Sequence, residues 1–361
     1  MGINIHWVEP PWRYHDLQFG GVHMNNIVAA KLVGSLAILL IGVCVAAQSQ
    51  TFTYHYFAPT SAQFTYPGSI DDRGEVVGLY VDASNMNHGF VRSAGGRIFK
   101  VEFPGASGTI ARGVDANENT CGYYQDQSNA YHGFVRSSAG QYFSFDAGSN
   151  STLTIALTTN STGQIAGFFI DPQAVNHGFL RNPDGTITPI DVPGSTGTVA
   201  VSINPGGQIT GDYTDSNKIQ HGFLRTKNGV FHSFDPPGAA LTLATAINRS
   251  GEIVGFYLDA NQVQHGFLRN AAGTIVSIDP PSSTLTNVTG IAADGLAVGY
   301  YQIGSPLSQH GFLRKSDGTI VSFDPPGSDE TTVFGVNDAQ EVVGNDVQSG
   351  ISKGFVVLVK P

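Results

Sequence analysis

From Thr53 onward, short runs rich in Val, Ile, Phe, Tyr and Thr alternate with Asn-x-x-Gly or Asp-Gly turns, the pattern of β-strands joined by tight hairpins. The runs are not scattered. The triplet His-Gly-Phe begins at His88, His132, His177, His221, His265 and His310, and Lys353-Gly354-Phe355 stands at the next expected place, giving a period of 43 to 45 residues. Each period holds four strand-length runs, here a, b, c and d. An apolar a run leads through an Asn or Asp turn to a Gly-Glu-Ile-Val-Gly-Phe-Tyr type of b run. A polar loop follows, then His-Gly-Phe-Leu-Arg (c), a glycine turn, Gly-Thr-Ile-Val-Ser-Phe-Asp (d) and Pro-Pro-Gly; residues 239–282 carry the unit in full.

A four-stranded sheet every 40 to 50 residues cannot bury both faces alone and stacks against its neighbours, which is the pattern of a propeller blade. The chain ends sharpen the expectation. Thr53 to Pro59 reads as a d run with no a, b or c before it, whereas the C-terminus supplies a (331–336), b (341–346) and c (353–359) and stops. The fold expected is all-β: a seven-bladed β-propeller of four-stranded blades over residues 48–361, with the last blade closed by the N-terminal strand. Such closure leaves no strand edge open, and an open solenoid would need capping units that are absent.

Upstream lies an apolar stretch between Lys31 and Gln48 that ends Val-Ala-Ala, which reads as a signal peptide over residues 24–47 with cleavage near Ala47. Because Met24 sits where the charged region of such a peptide begins, residues 1–23 read as a mis-called upstream start. An uncleaved anchor is the alternative, although the run is short of the roughly 20 residues a spanning helix needs. A lipoprotein site at Cys44 is disfavoured by the bulky Val43. The mature protein is therefore expected to be secreted or periplasmic, and monomeric.

The units resemble the bacterial extracellular HAF-type repeats, named for a His-Ala-Phe triplet of similar spacing, over about residues 51–360. Here the middle residue of each triplet is Gly. The resemblance implies export and a propeller, and implies no activity.

Composition narrows the chemistry. With 45 glycines, 18 prolines and 41% apolar residues the chain suits strands and turns, and a net charge of −10 spread along its length argues against nucleic acid as a partner. Its two cysteines, Cys44 and Cys121, offer no disulfide once the leader is removed; Cys121 takes the place of Val77, Val254 or Val343 and is expected to be a buried core thiol.

Three repeating constellations are candidates. Arg92, Arg136, Arg181, Arg225, Arg269 and Arg314 stand four residues after each His, and Glu102, Asp146, Asp191, Asp235, Asp279 and Asp324 stand fourteen after it. Both are missing from the seventh unit (Val357, Ala58), so the expectation is a structural ion pair of Arg with acid across c and d. Asp82, Asp126, Asp171, Asp215 and Asp259 stand six residues before the His and are expected to hydrogen-bond it and hold the b–c loop. Catalysis needs groups converging on one place, whereas these point to separate places around a ring. Residues 115–126 imitate a calcium loop but carry Thr120 where the glycine of the sharp bend belongs, so an ordinary hairpin turn is expected. No metal, cofactor or catalytic residue is assigned; no Gly-x-Ser-x-Gly, His-Glu-x-x-His or Cys-x-x-Cys motif is present.

Binding is expected on the face carrying the b–c and d–a loops. Its candidates are Asn85, Asn87, Asn129, Tyr131, Asn176, Asn217, Lys218, Asn261, Gln264 and Gln309, amides and aromatics suited to sugar hydroxyls. The expectation is a non-enzymatic binding or interaction module for a glycan or protein ligand. The alternatives are a propeller lyase or hydrolase with one site at the channel mouth, for which the Thr, Ala, Val and Ile of the a runs offer little, and a structural surface protein.

Overall fold

The computed structural model describes residues 52–304 and 308–359, so the expected leader (24–47) and upstream start (1–23) lie outside the described residues. Among the described residues there are twenty-eight strands, and their order recurs in sets of four. Strand β1 (Tyr54–Phe57) stands apart; the first set is β2 (Ala62–Ile70), β3 (Val76–Asp82), β4 (Asn87–Arg92) and β5 (Ile98–Val101), paired antiparallel in that order. The a, b, c and d runs of the sequence are these four strands. The next sets repeat the pattern to the last, which holds Glu330–Val336, Glu341–Gln348 and Ile351–Leu358 and takes β1 as its fourth strand. There Tyr54 pairs with Val357 and Phe57 with Gly354, as the unfinished chain ends predict.

The sets stack face to face. Phe90, Phe134, Phe179, Phe223, Phe267, Phe312 and Phe355, the aromatic of each triplet, are fully buried and anchor the layers between sets. In one such layer Phe57, Val343 and Val356 of the last set pack on Val76, Tyr80 and Phe90 of the first. The a strands touch one another in succession, and the last of them returns to β2. Backbone pairing between sets is slight, limited to single parallel bridges such as Tyr131 with Leu153, Gln264 with Leu285 and Gln309 with Glu330, so the hydrogen-bonded sheets stay open while the packing closes. This is propeller architecture.

Two devices stitch the ring on its a–b turn face. The side-chain amide of Asn160 donates to the Asn204 carbonyl (3.1 Å), Asn204 to Asn248 (3.0 Å), Asn248 to Ala292 (3.0 Å) and, across the chain ends, Asn337 to Asp71 (2.8 Å). Arg249 of the fifth set reaches Asp338 of the seventh (2.8 Å) and Asp72 of the first (3.5 Å). Every a strand carries a bulge opposite the b-strand glycine, and that glycine is obligatory: a Cβ on Gly255 would sit 2.1 Å from the Leu243 carbonyl oxygen, and one on Gly211 1.9 Å from that of Val199.

Candidate functional site

The repeating histidines are held from both sides. His88 Nδ1 lies 2.7 Å from Glu102 and its Nε2 3.0 Å from Asp82, and the ring stacks on Tyr80 at 4.9 Å between centroids. Nδ1 meets the d-strand acid in all six copies, as with Asp146 (2.8 Å), Asp191 (3.1 Å), Asp235 (2.7 Å), Asp279 (3.1 Å) and Asp324 (2.7 Å). Nε2 faces Asp126 (3.5 Å), Asp171 (3.4 Å), Asp215 (3.7 Å) and Asp259 (3.8 Å), and in the sixth set His310 meets the Ser308 hydroxyl (2.9 Å).

The expected pairing of Arg with the d-strand acid is therefore wrong; the acid belongs to His. The reason is register. In the antiparallel c–d pair Gly89 faces Val101 and Arg92 faces Ile98, so residue 102 lies beside His88, four residues or about 13 Å along the strand from Arg92. The seventh set fits this reading, since Ala58 replaces the acid where Lys353 replaces the His, and Asp346 stands opposite Lys353 on the neighbouring strand. The arginines do other work. Arg92 lies over Phe57 (5.1 Å), Arg181 over Phe145 (4.9 Å) and Arg269 over Phe234 (5.2 Å), each closing the adjoining turn by donating to the next residue's carbonyl. Burial pulls the Arg92, Arg181, Arg225 and Arg269 guanidiniums below their ordinary range.

The b–c loop is a closed unit. Asp82 Oδ1 accepts from the backbone N–H of Ser84 (2.8 Å) and Met86 (3.0 Å) while Oδ2 faces the His. The His88 contact and those N–H groups hold the carboxyl at about 2; Asp126 is lowered chiefly by the Ser128 hydroxyl, and Asp171, Asp215 and Asp259 chiefly by the loop N–H of Val175, Ile219 and Val263. The loop residues proposed for binding are largely occupied by this architecture. Asn85, Asn129 and Lys218 hold the left-handed turn position at φ 59°, 69° and 66°. Asn217 and Asn261 donate backbone and side-chain N–H to Asp215 and Asp259. Gln264 donates to the Thr286 carbonyl (3.1 Å) and Gln309 to Thr332 Oγ1 (2.6 Å), both in the next a strand. Asn87, Tyr131 and Asn176 open their c strands, half-buried. Two smaller expectations hold: Asp115 caps an ordinary turn through the Asn117 and Asn119 N–H groups (2.8 and 2.9 Å), and Cys121 is buried, its thiol pushed up to about 12 by desolvation.

One layer departs from repetition. The residue after each b-strand glycine is Leu79, Tyr123, Phe168, Asp212, Phe256, Tyr300 or Asn345, paired across to Tyr66, Ile110, Ile155, Val199, Leu243, Asn287 or Thr332 of the a strand. These positions lie toward the b–c face, near the start of the a strands that surround the axis. Four sets are apolar or aromatic here on the b strand and a fifth carries Tyr300, whereas the fourth and seventh introduce Asp212 and Asn345, both buried. Asn287 donates to the Tyr300 hydroxyl (2.9 Å), and Asn345 to Ser352 (2.9 Å), which passes a hydrogen bond to the Thr65 carbonyl (3.2 Å). Among the described residues, two buried acceptor oxygens in this layer, Asn287 Oδ1 and Asn345 Oδ1, and a third, Gln220 Oε1 on the adjoining c strand, have no partner. Among the described residues Asp212 Oδ2 receives only a long hydrogen bond from Gln220 (3.4 Å), and burial pushes its carboxyl up to about 7. That displacement corresponds to roughly 4 kcal/mol at most in favour of the neutral form. The layer is absent from the candidates drawn from sequence, which weighed residues that repeat; the signal was Asp and Asn standing in a strand position otherwise filled by Leu, Tyr and Phe.

No protein-family model matches the chain, and no curated protein matches it. Solved structures do. Catalytically inactive virginiamycin B lyase from Staphylococcus aureus is similar over 86% of this chain and all of its own, with a TM-score of 0.59 at 13% identity. The BP39L lectin from Burkholderia pseudomallei is similar over 86% of this chain and 96% of its own (TM-score 0.53, 11% identity), and the β-propeller domain of the Trilobed protease from Pyrococcus furiosus over 82% and 96% (TM-score 0.53, 9% identity). At these identities the likeness is one of fold, and on that ground the chain is an all-β propeller.

Proposed function

We propose that this is an exported binding propeller whose seven sets are seven blades of one closed ring, holding a saccharide in the layer of Asp212, Asn287 and Asn345. The carrying observation is the trio of buried, unpartnered oxygens, Gln220 Oε1, Asn287 Oδ1 and Asn345 Oδ1. Each unpaired buried acceptor costs about 1–3 kcal/mol, and a guest with several hydroxyl donors would recover that. Tyr123, Phe168 and Phe256 give the same layer an aromatic character that suits the apolar face of a sugar. The fold does not choose between functions, since a lectin and a lyase both share it; the residues of the layer support the binding reading.

A second reading, a lyase or hydrolase with one centre in this layer, is favoured by Asp212, whose carboxyl near 7 is poised for general acid–base work. Its only side-chain hydrogen bond among the described residues is to Gln220, which is no proton-transfer partner.

A glycan array followed by titration calorimetry tests the binding reading. Asn287→Ala and Asn345→Ala are expected to weaken saccharide binding at least ten-fold, while Asn217→Ala and Asn261→Ala, which loosen only a loop, leave it unchanged. Loss confined to the loop variants would move the site to the b–c turns, and absence of any saccharide binding would remove the reading.

A further inference from the structure

We propose that Asp212 and Gln220 together form a docking point for an amino group, so that the preferred ligand is a saccharide bearing a free amine. The inference rests on the saccharide-binding reading above and adds the ligand's chemical class.

Across the equivalent b-strand positions the chain carries Leu79, Tyr123, Phe168, Phe256, Tyr300 and Asn345, so Asp212 is the single ionisable acid of the layer's b strands. Among the described residues no Lys, Arg or His lies within ion-pair distance of it, and its one side-chain hydrogen bond is the long contact from Gln220 Nε2. Gln220 itself departs from its counterparts. Gln264 and Gln309 spend their amide N–H on carbonyls of the next a strand, Thr286 and Thr331, whereas Gln220 turns its amide to Asp212 and leaves Oε1 buried without a partner. The pair thus presents a carboxylate and an amide oxygen, with donors in deficit.

An ammonium group supplies what is missing: three N–H donors and the positive charge that a desolvated carboxylate lacks. A sugar hydroxyl offers one donor and no charge, and would leave the Asp212 carboxyl protonated. The raised carboxyl of Asp212 agrees with a site whose counter-charge arrives with the ligand, since burial alone raises it against the opposing pull of the Gln220 hydrogen bond and no charged neighbour contributes. Binding of an amine then draws the carboxyl into its ionised form, and the affinity rises as pH climbs toward neutrality.

The test is calorimetry on the full chain with three oligosaccharides of equal length, built from glucosamine, N-acetylglucosamine and glucose, at pH 5.5, 6.5 and 7.5. The expected result is at least ten-fold preference for the glucosamine oligomer, growing with pH. Asp212→Asn abolishes the preference, bringing the glucosamine oligomer to the affinity of the other two, and Gln220→Leu reduces it. Equal binding of all three oligomers, or a preference that survives Asp212→Asn, overturns the amine site and leaves the saccharide reading standing. Failure of all three to bind overturns both.

Discussion

The b-strand glycines show at the scale of single residues how a repeat is enforced. In every set the a strand bulges, and its carbonyl approaches the glycine so closely that no Cβ fits. Gly255→Ala must push Leu243 away and break the bulge, and is expected to lower stability by about 3 kcal/mol in urea unfolding, within the range of overpacking in a tight core. Gly95, at an open turn with nothing near its Cβ direction, is expected to accept Ala within about 0.5 kcal/mol. Histidine is the contrasting case. Its place between two carboxylates and over an aromatic ring recurs at the same spacing, so the residues were readable in sequence. The partner of the d-strand acid was not, because Arg and His both stand on the c strand and only the c–d register decides which one the acid reaches.

Single strands carry the closure of the ring. Four residues, Tyr54 to Phe57, complete the last set, and Phe57 enters the core shared by the last and first sets beneath the Arg92 guanidinium. Phe57→Ala leaves a cavity at that junction and is expected to cost about 3–4 kcal/mol. Tyr56→Ala, on the exposed side of the same strand, should cost under about 1 kcal/mol. The two variants differ only in which face they strip, so comparing their urea midpoints isolates the packing. Equal losses would show that β1 acts through its backbone pairing and not through Phe57. This strand was legible because a lone d run at one end and a missing one at the other admit a simple match. The Asn-to-carbonyl chain on the opposite face was legible only as a turn preference, since its acceptors lie a whole set away.

For the whole molecule, two families of carboxylate pull the pH dependence in opposite directions. Asp82 is held at about 2 against an ordinary 3.8, so its contribution is complete above about pH 4 and is lost as pH falls through about 2; Asp126, Asp171, Asp215 and Asp259 shift in the same direction. Asp212 is held at about 7 against the same 3.8, so the folded state binds the extra proton between about pH 4 and 7, and stability declines as pH rises through that window. Calorimetric melts from pH 2 to 8 are expected to peak between the two limbs, and Asp212→Asn should flatten only the neutral-side decline. A decline unchanged in that variant would show that Asp212 is better solvated than its burial implies. The sequence alone determined the all-β class, the four-strand unit, the exchange of one strand between the chain ends and the nearness of each His to its b–c loop acid, a hydrogen bond at Asp82, Asp126 and Asp171 but a looser 3.7 to 3.8 Å at Asp215 and Asp259, because each depends on spacing within a unit or between neighbours. Tertiary structure decided which d-strand acids the histidines hold, which loop amides are already occupied, and that Asp212, Asn287 and Asn345 share one layer with Gln220 beside Asp212. Those residues come from different sets and deviate from the repeat individually, and only the closing of the ring brings them to one level around its axis.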